Sequence, residues 1–88
     1  MDEHELARRA SVLPDQFASR LDESTNEGLR SMNRAGEWDE LMDLLVAALV
    51  GLVAAVTIHE QQELRELLEA MDMPTDKVER PTLVELQQ

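Results

Sequence analysis

Eighty-eight residues with no cysteine admit one small domain, and they exclude a disulfide framework, a thiolate metal site and a thiol nucleophile. A formal net charge of −11 repels nucleic acid and anionic membrane surfaces alike; it suits simple solubility or a basic protein partner. Apolar residues reach 43% but aromatics only 2%, so the core is aliphatic, and its Leu, Ala and Met, with Glu, Gln and Arg around them, favour helix over sheet.

The first helix is expected over residues 2–13. Leu6, Ala10 and Leu13 share a face, and Asp2, Glu3 and Glu5 suit the positive end of the helix dipole. Pro14 stops it or opens the next segment, where Phe17 and Leu21 are spaced for a further turn. A second helix, about 25–35, follows a capping-box spacing at Ser24–Glu27 and closes at Gly36, with Gly28 a weak point inside it. The third, about 37–52, carries Trp38 on its first turn, placed to anchor against the second helix; Gly51 marks its end or a close helix contact. Ala54-Ala55-Val56 reads as an extended connector.

Thr57-Ile-His-Glu60 has the reciprocal spacing of a capping box and starts a fourth helix, about 58–72. Its Leu64, Leu67, Leu68 and Met71 point inward, and Gln62, Glu66 and Glu69 to water, before Met73-Pro74 ends it. Thr75-Asp76 suits one last turn, and residues 81–88 read as a loose tail. The expected fold is all-α: one domain, residues 1–88, built as a small bundle of four helices, with residues 1–22 as an additional N-terminal helix and connector.

Leu44–Val56, LLVAALVGLVAAV, holds no polar side chain in thirteen positions. A membrane span needs about 20 apolar residues. Widening this window brings in Asp43, and the flanks (Glu37, Asp39, Glu40; Glu60, Glu63) are acidic. A secretion signal would stand behind a basic N-terminus, whereas this sequence begins MDEHEL. The run is therefore read as core or interface, and the location as cytoplasmic. A helix apolar on every side must be buried on every side. Two or three neighbours can hardly cover it, so a surplus face is expected to meet another protein or a second copy.

His59-Glu-Gln-Gln-Glu63 resembles the opening of a zinc-protease helix, but Glu63 stands where the second histidine belongs, and capping explains Glu60. His4 has no evident partner. The three glycines are isolated, and the serine and threonine hydroxyls lie in no catalytic setting. No cofactor, metal or enzymatic activity is expected.

Ser24 to Thr82 resembles the small helical immunity proteins of bacterial polymorphic-toxin systems, of the MafI type. The stretches that carry the likeness are AGEWDELMDLLVAAL (Ala35–Leu49), AVTIHEQQELRELLEAMDMPTD (Ala55–Asp76) and VERPTL (Val78–Leu83). They match an AGEW-like turn, a Leu/Ala-rich helix, a short connector and an ELRxLLEAMGMP-like helix. This chain departs from the pattern in the apolar connector Val50–Ala55 and in the helix ahead of residue 22. The resemblance implies binding and neutralisation of a cognate toxin domain in the cytosol by occlusion of its active site.

The partner that the resemblance implies is a toxin domain, and the acidic charge and apolar surplus of this chain suit one with a basic cleft. The candidate contacts are Trp38, Asp39, Glu40 and Asp43 on the third helix, with Glu63, Glu66 and Glu69 on the fourth. Core packing competes as the role of Trp38, and a solvated face as that of the acids. The alternative function is a homodimeric helical adaptor or scaffold without catalytic activity.

Overall fold

Three helix starts in this chain are set by a side-chain oxygen placed three residues ahead of an orphan amide. The computed structural model describes residues 1–79 and the pair Val84–Glu85. In it, the Asp2 carboxylate accepts from the Glu5 N–H at 2.8 Å and opens α1 (Glu3–Ser11). Pro14 opens a short second helix, α2 (Leu13–Phe17), and a 3₁₀ turn (Ala18–Arg20) follows. The next helix, α3 (Glu23–Ala35), begins earlier than the Ser24–Glu27 spacing suggests: Asp22 is the cap, accepting from the Thr25 N–H at 2.7 Å. Those hydrogen bonds from Thr25 hold the Asp22 carboxyl below its usual range.

The apolar run begins in α4 (Trp38–Gly51), which stops at Gly51, and continues through the turn behind it. A Cβ there would meet nothing within 4 Å, so Gly51 marks an end and not a helix contact. The connector pairs as a two-residue strand, β1 (Ala55–Val56), and α5 (Ile58–Ala70) follows. Both halves of the Thr57 capping box form: the Glu60 N–H donates to Thr57 Oγ1 at 3.0 Å, and the Thr57 N–H to Glu60 Oε1 at 2.9 Å. The expected last turn is a 3₁₀ turn (Asp76–Val78) that buries Val78. Of the segment expected as a loose tail, Val84–Glu85 forms β2, parallel to β1 with Ala55 opposite Val84; the rest of 81–88 lies outside the described residues.

The all-α class holds, and the four long helices stand where the periodicity places them. The additional α2 is short but central. Leu13 and Phe17 are wholly buried beside Leu29, Leu41, Leu45, Leu49, Leu64 and Leu67. The N-terminal 22 residues therefore belong to the core. Polar straps hold them: Asn33 Nδ2 donates to the Ser11 carbonyl at 2.8 Å, and buried Asn26 Nδ2 to the Ala18 carbonyl at 3.0 Å. Arg20 packs over the Phe17 ring and donates to Glu60 at 2.6 and 2.8 Å.

Three helices end in the same hydrogen-bond pattern. In α3 the Glu37 N–H returns to Met32 O, in α4 the Ala54 N–H to Leu49 O, and in α5 the Met73 N–H to Leu68 O. Each pattern needs one left-handed residue. Gly36 supplies it after α3 (φ 71), but Val53 (φ 52) and Asp72 (φ 56) supply it after α4 and α5.

The body of α4 hides more than its composition promised. Leu41, Met42, Leu45, Val46 and Leu49 are buried, Leu44, Ala48 and Val50 are half-buried, and only Ala47 and Gly51 on the helix are exposed apolar positions, both small. The expected surplus face shrinks to the turn behind the helix, where Leu52 is 46% and Val53 68% exposed, with Ile58 beyond it. Close approach of α3 accounts for much of this: a Cβ on Gly28 would stand 3.1 Å from Leu44 Cδ2.

Candidate functional site

Gly36, in the left-handed region, turns the chain sharply so that α4 starts against the end of α3. Trp38 on that first turn is half-buried and packs on the core, as the sequence predicts for an anchor. Its ring stays close to the turn, 3.9 Å from where a Cβ on Gly36 would lie. The N-terminus of α1 and the C-terminus of α5 meet the same place. Between them lies an open groove of about 830 Å³, lined by Glu3, His4, Leu6, Trp38, Asp39 and Met71 among others. A second, smaller hollow of about 120 Å³ lies further along α4, lined by Met42, Asp43, Val46, Leu68 and Lys77 among others.

Asp39, Glu40 and Asp43 are all exposed, and among the described residues none of them takes part in an ion pair. Acids on a first turn are favoured by the helix dipole, which explains one or two of them. Asp43, one turn further along the same face as Asp39, adds to their mutual repulsion. A hydrogen bond with Glu37, added to the charges of Glu37 and Asp39, lifts the Glu40 carboxyl above its usual range. This end of the molecule thus carries negative charge that the described residues do not neutralise.

The acids of α5 fare differently. Arg9 of α1, only 17% exposed in its side chain, donates to both Glu63 and Glu66, the latter at 2.8 Å. Its guanidinium is held even more firmly in the charged form by hydrogen bonds to Glu63 first and Glu66 second. Glu60 is spoken for as well. Hydrogen bonds from Arg20 pull its carboxyl from the ordinary 4.5 to about 2, aided by the Thr57 amide and the Gln16 side chain. Glu69 is exposed, next to Ala70 at the groove, and has no ion pair among the described residues.

The structure therefore brings Trp38 and Asp39 to the groove, leaves Glu40 exposed beside them, and places Asp43 at the second hollow further along α4; Glu69 is exposed one residue before the groove-lining Ala70. It draws Glu63 and Glu66 into an internal clamp, because an arginine one helix away reaches both. Sequence reasoning missed Glu3, His4 and Met71 as groove residues. Nothing in the local pattern signals them, since their placement depends on how α1 and α5 cross α4. His59 is exposed, and among the described residues no three His, Asp or Glu side chains converge as a metal set.

Among the described residues no helix is long and apolar enough to cross a membrane. Comparison with family models, with curated proteins and with solved structures finds no match for this chain.

Proposed function

We propose that this chain is a protein-binding inhibitor: an immunity protein that binds a cognate toxin domain in the cytosol and occludes a basic cleft at its active site. The observation that carries the reading is the unneutralised acidic end around the Trp38 groove. Carboxylates that form no ion pair among the described residues, on the helix turn that carries a half-buried indole, offer electrostatic steering at the rim and an apolar anchor at the centre. The resemblance of Ala35–Leu49 and Ala55–Asp76 to MafI-type immunity proteins supplies the class of partner. The reading gives the chain no catalytic role, no cofactor and no nucleic-acid contact. Asp39, Glu40, Asp43 and Glu69 are the acids assigned to the interface. Glu63 and Glu66 take a secondary place, since a partner would have to displace Arg9 from them.

The test is co-expression with the C-terminal domains encoded by the flanking reading frames. The expected result is one domain that arrests growth alone, ceases to do so beside this chain and co-purifies with it. No growth-arresting neighbour, or one that stays toxic and uncomplexed, overturns the reading. A second reading, a homodimeric adaptor, draws on the exposed Leu52, Val53 and Ile58. Sedimentation at micromolar concentration separates the two: a dimer that Leu52→Asp dissolves supports the adaptor, and a monomer removes it.

A further inference from the structure

The groove beside Trp38 differs from the rest of the surface in three respects. It is walled by ends of four helices, with α1 and α4 presenting N-termini and α3 and α5 C-termini. Helix dipoles of opposite sign meet there and largely offset one another, and the ionisable side chains that line it are two acids, Glu3 and Asp39, and one imidazole, His4. Half-buried Leu6 and Met71 line it together with the indole, and both of its carboxylates are exposed. Elsewhere, acids that line internal contacts are matched: Arg9 takes Glu63 and Glu66, Arg20 takes Glu60, and Arg65 takes Glu79. Among the described residues no ion pair serves Glu3 or Asp39.

We infer that this groove receives an arginine side chain of a basic protein partner, its guanidinium lying against the Trp38 indole and its N–H groups donating to the Asp39 and Glu3 carboxylates. The occupant follows from complementarity of charge and from the flat apolar face of the indole. An apolar side chain would strand two carboxylates, and an anion would meet them head-on. A lysine satisfies the charge but not the surface, because its ammonium is compact and strongly hydrated. A guanidinium is flat and weakly hydrated, stacks on an indole and forks onto carboxylates. The inference rests on the reading of this chain as a binder of a basic protein, and it names the side chain that the acidic end accepts.

Trp38 is the sole tryptophan, so its emission reports on this groove alone. The full chain is titrated at low salt with a blocked peptide carrying two arginines between glycines. Counterparts carry lysine or citrulline, the latter keeping arginine's shape without its charge. The expected result is a saturable change in emission with the arginine peptide, a weaker one with lysine and none with citrulline. Glu3→Gln with Asp39→Asn should weaken the arginine peptide about tenfold. Asp15→Asn with Glu27→Gln, an equal loss of charge at exposed positions that do not line the groove, should weaken it less than about twofold. A silent Trp38, equal response to citrulline, or equal weakening by both pairs overturns the inference. If the toxin-domain complex forms while Trp38 stays silent, the groove is wrong and the function stands. Arginine binding without any such complex leaves the groove and removes the toxin.

Discussion

Val53 occupies the left-handed region with two branches on its Cβ, a conformation that costs a non-glycine residue about 1–2 kcal/mol. Glycine would remove that strain while adding about 0.5–1 kcal/mol of chain entropy loss. Val53→Gly should therefore stabilise the fold by roughly 1 kcal/mol, raising the melting temperature by about 4–8 °C for a domain this small. A lower melting temperature would mean that the 68%-exposed side chain makes a contact the strain argument omits. Glu60 sits at the opposite extreme, with every nearby donor satisfied. Glu60→Gln should cost about 2 kcal/mol at neutral pH, because Arg20 loses its charged acceptor. The sign of its pH dependence follows from a folded value depressed to about 2 against an ordinary 4.5. The stabilisation is complete above about pH 5 and fades as the pH falls towards 2, so the deficit of the Gln variant should shrink over that window. Urea unfolding of both proteins from pH 7 to pH 3 checks this; a constant deficit contradicts it.

Between elements, α3 comes close to α4 at Gly28, which faces Leu44. In an isolated helix alanine would be preferred there by up to about 1 kcal/mol. Here its Cβ would press on Leu44 Cδ2 at 3.1 Å, the far end of a half-buried and movable side chain. The two effects nearly cancel. Gly28→Ala should change stability by less than about 0.5 kcal/mol, whereas Gly28→Val, which cannot be accommodated by one rotamer shift, should cost more than about 1 kcal/mol. Equal effects in denaturant melts would show that the helices are not in tight contact. The attachment of α1 has another character. It buries Ala10 fully, with Leu6 packed at the core's edge, and relies on Arg9 to bridge to α5.

At the scale of the molecule, charge decides more than shape. Nineteen acids confront eight bases, and the pairs nearest the core use arginines that can no longer offset the exposed carboxylates. Net self-repulsion should therefore outweigh the screening of favourable pairs. Raising salt from about 10 mM to about 300 mM should increase the melting temperature by several degrees. A decrease would mean that the internal pairs dominate. The same imbalance leaves the acidic end able to draw in a basic partner, and salt should weaken that association while it steadies the fold.

Much of this architecture is written locally. Period, caps and breakers placed the helices, since an orphan amide needs an acceptor within three residues and an apolar stripe needs a spacing near four. The Thr57–Glu60 box and the stop at Gly36 are legible for that reason. The sequence points to Ser24 because a glutamate stands three residues after it, whereas Asp22 has Thr25 there; only the folded chain shows that the Asp22 oxygen meets the amide. Trp38, Asp39, Glu40 and Asp43 could be grouped from the first two turns of one helix. That Glu63 and Glu66 are claimed by Arg9, that Glu3 and Met71 face Trp38, and that α4 is covered through a glycine on α3 could not. Those facts join residues tens of positions apart. They depend on how helices cross, which is fixed by the packing of whole faces and by no short stretch of chain.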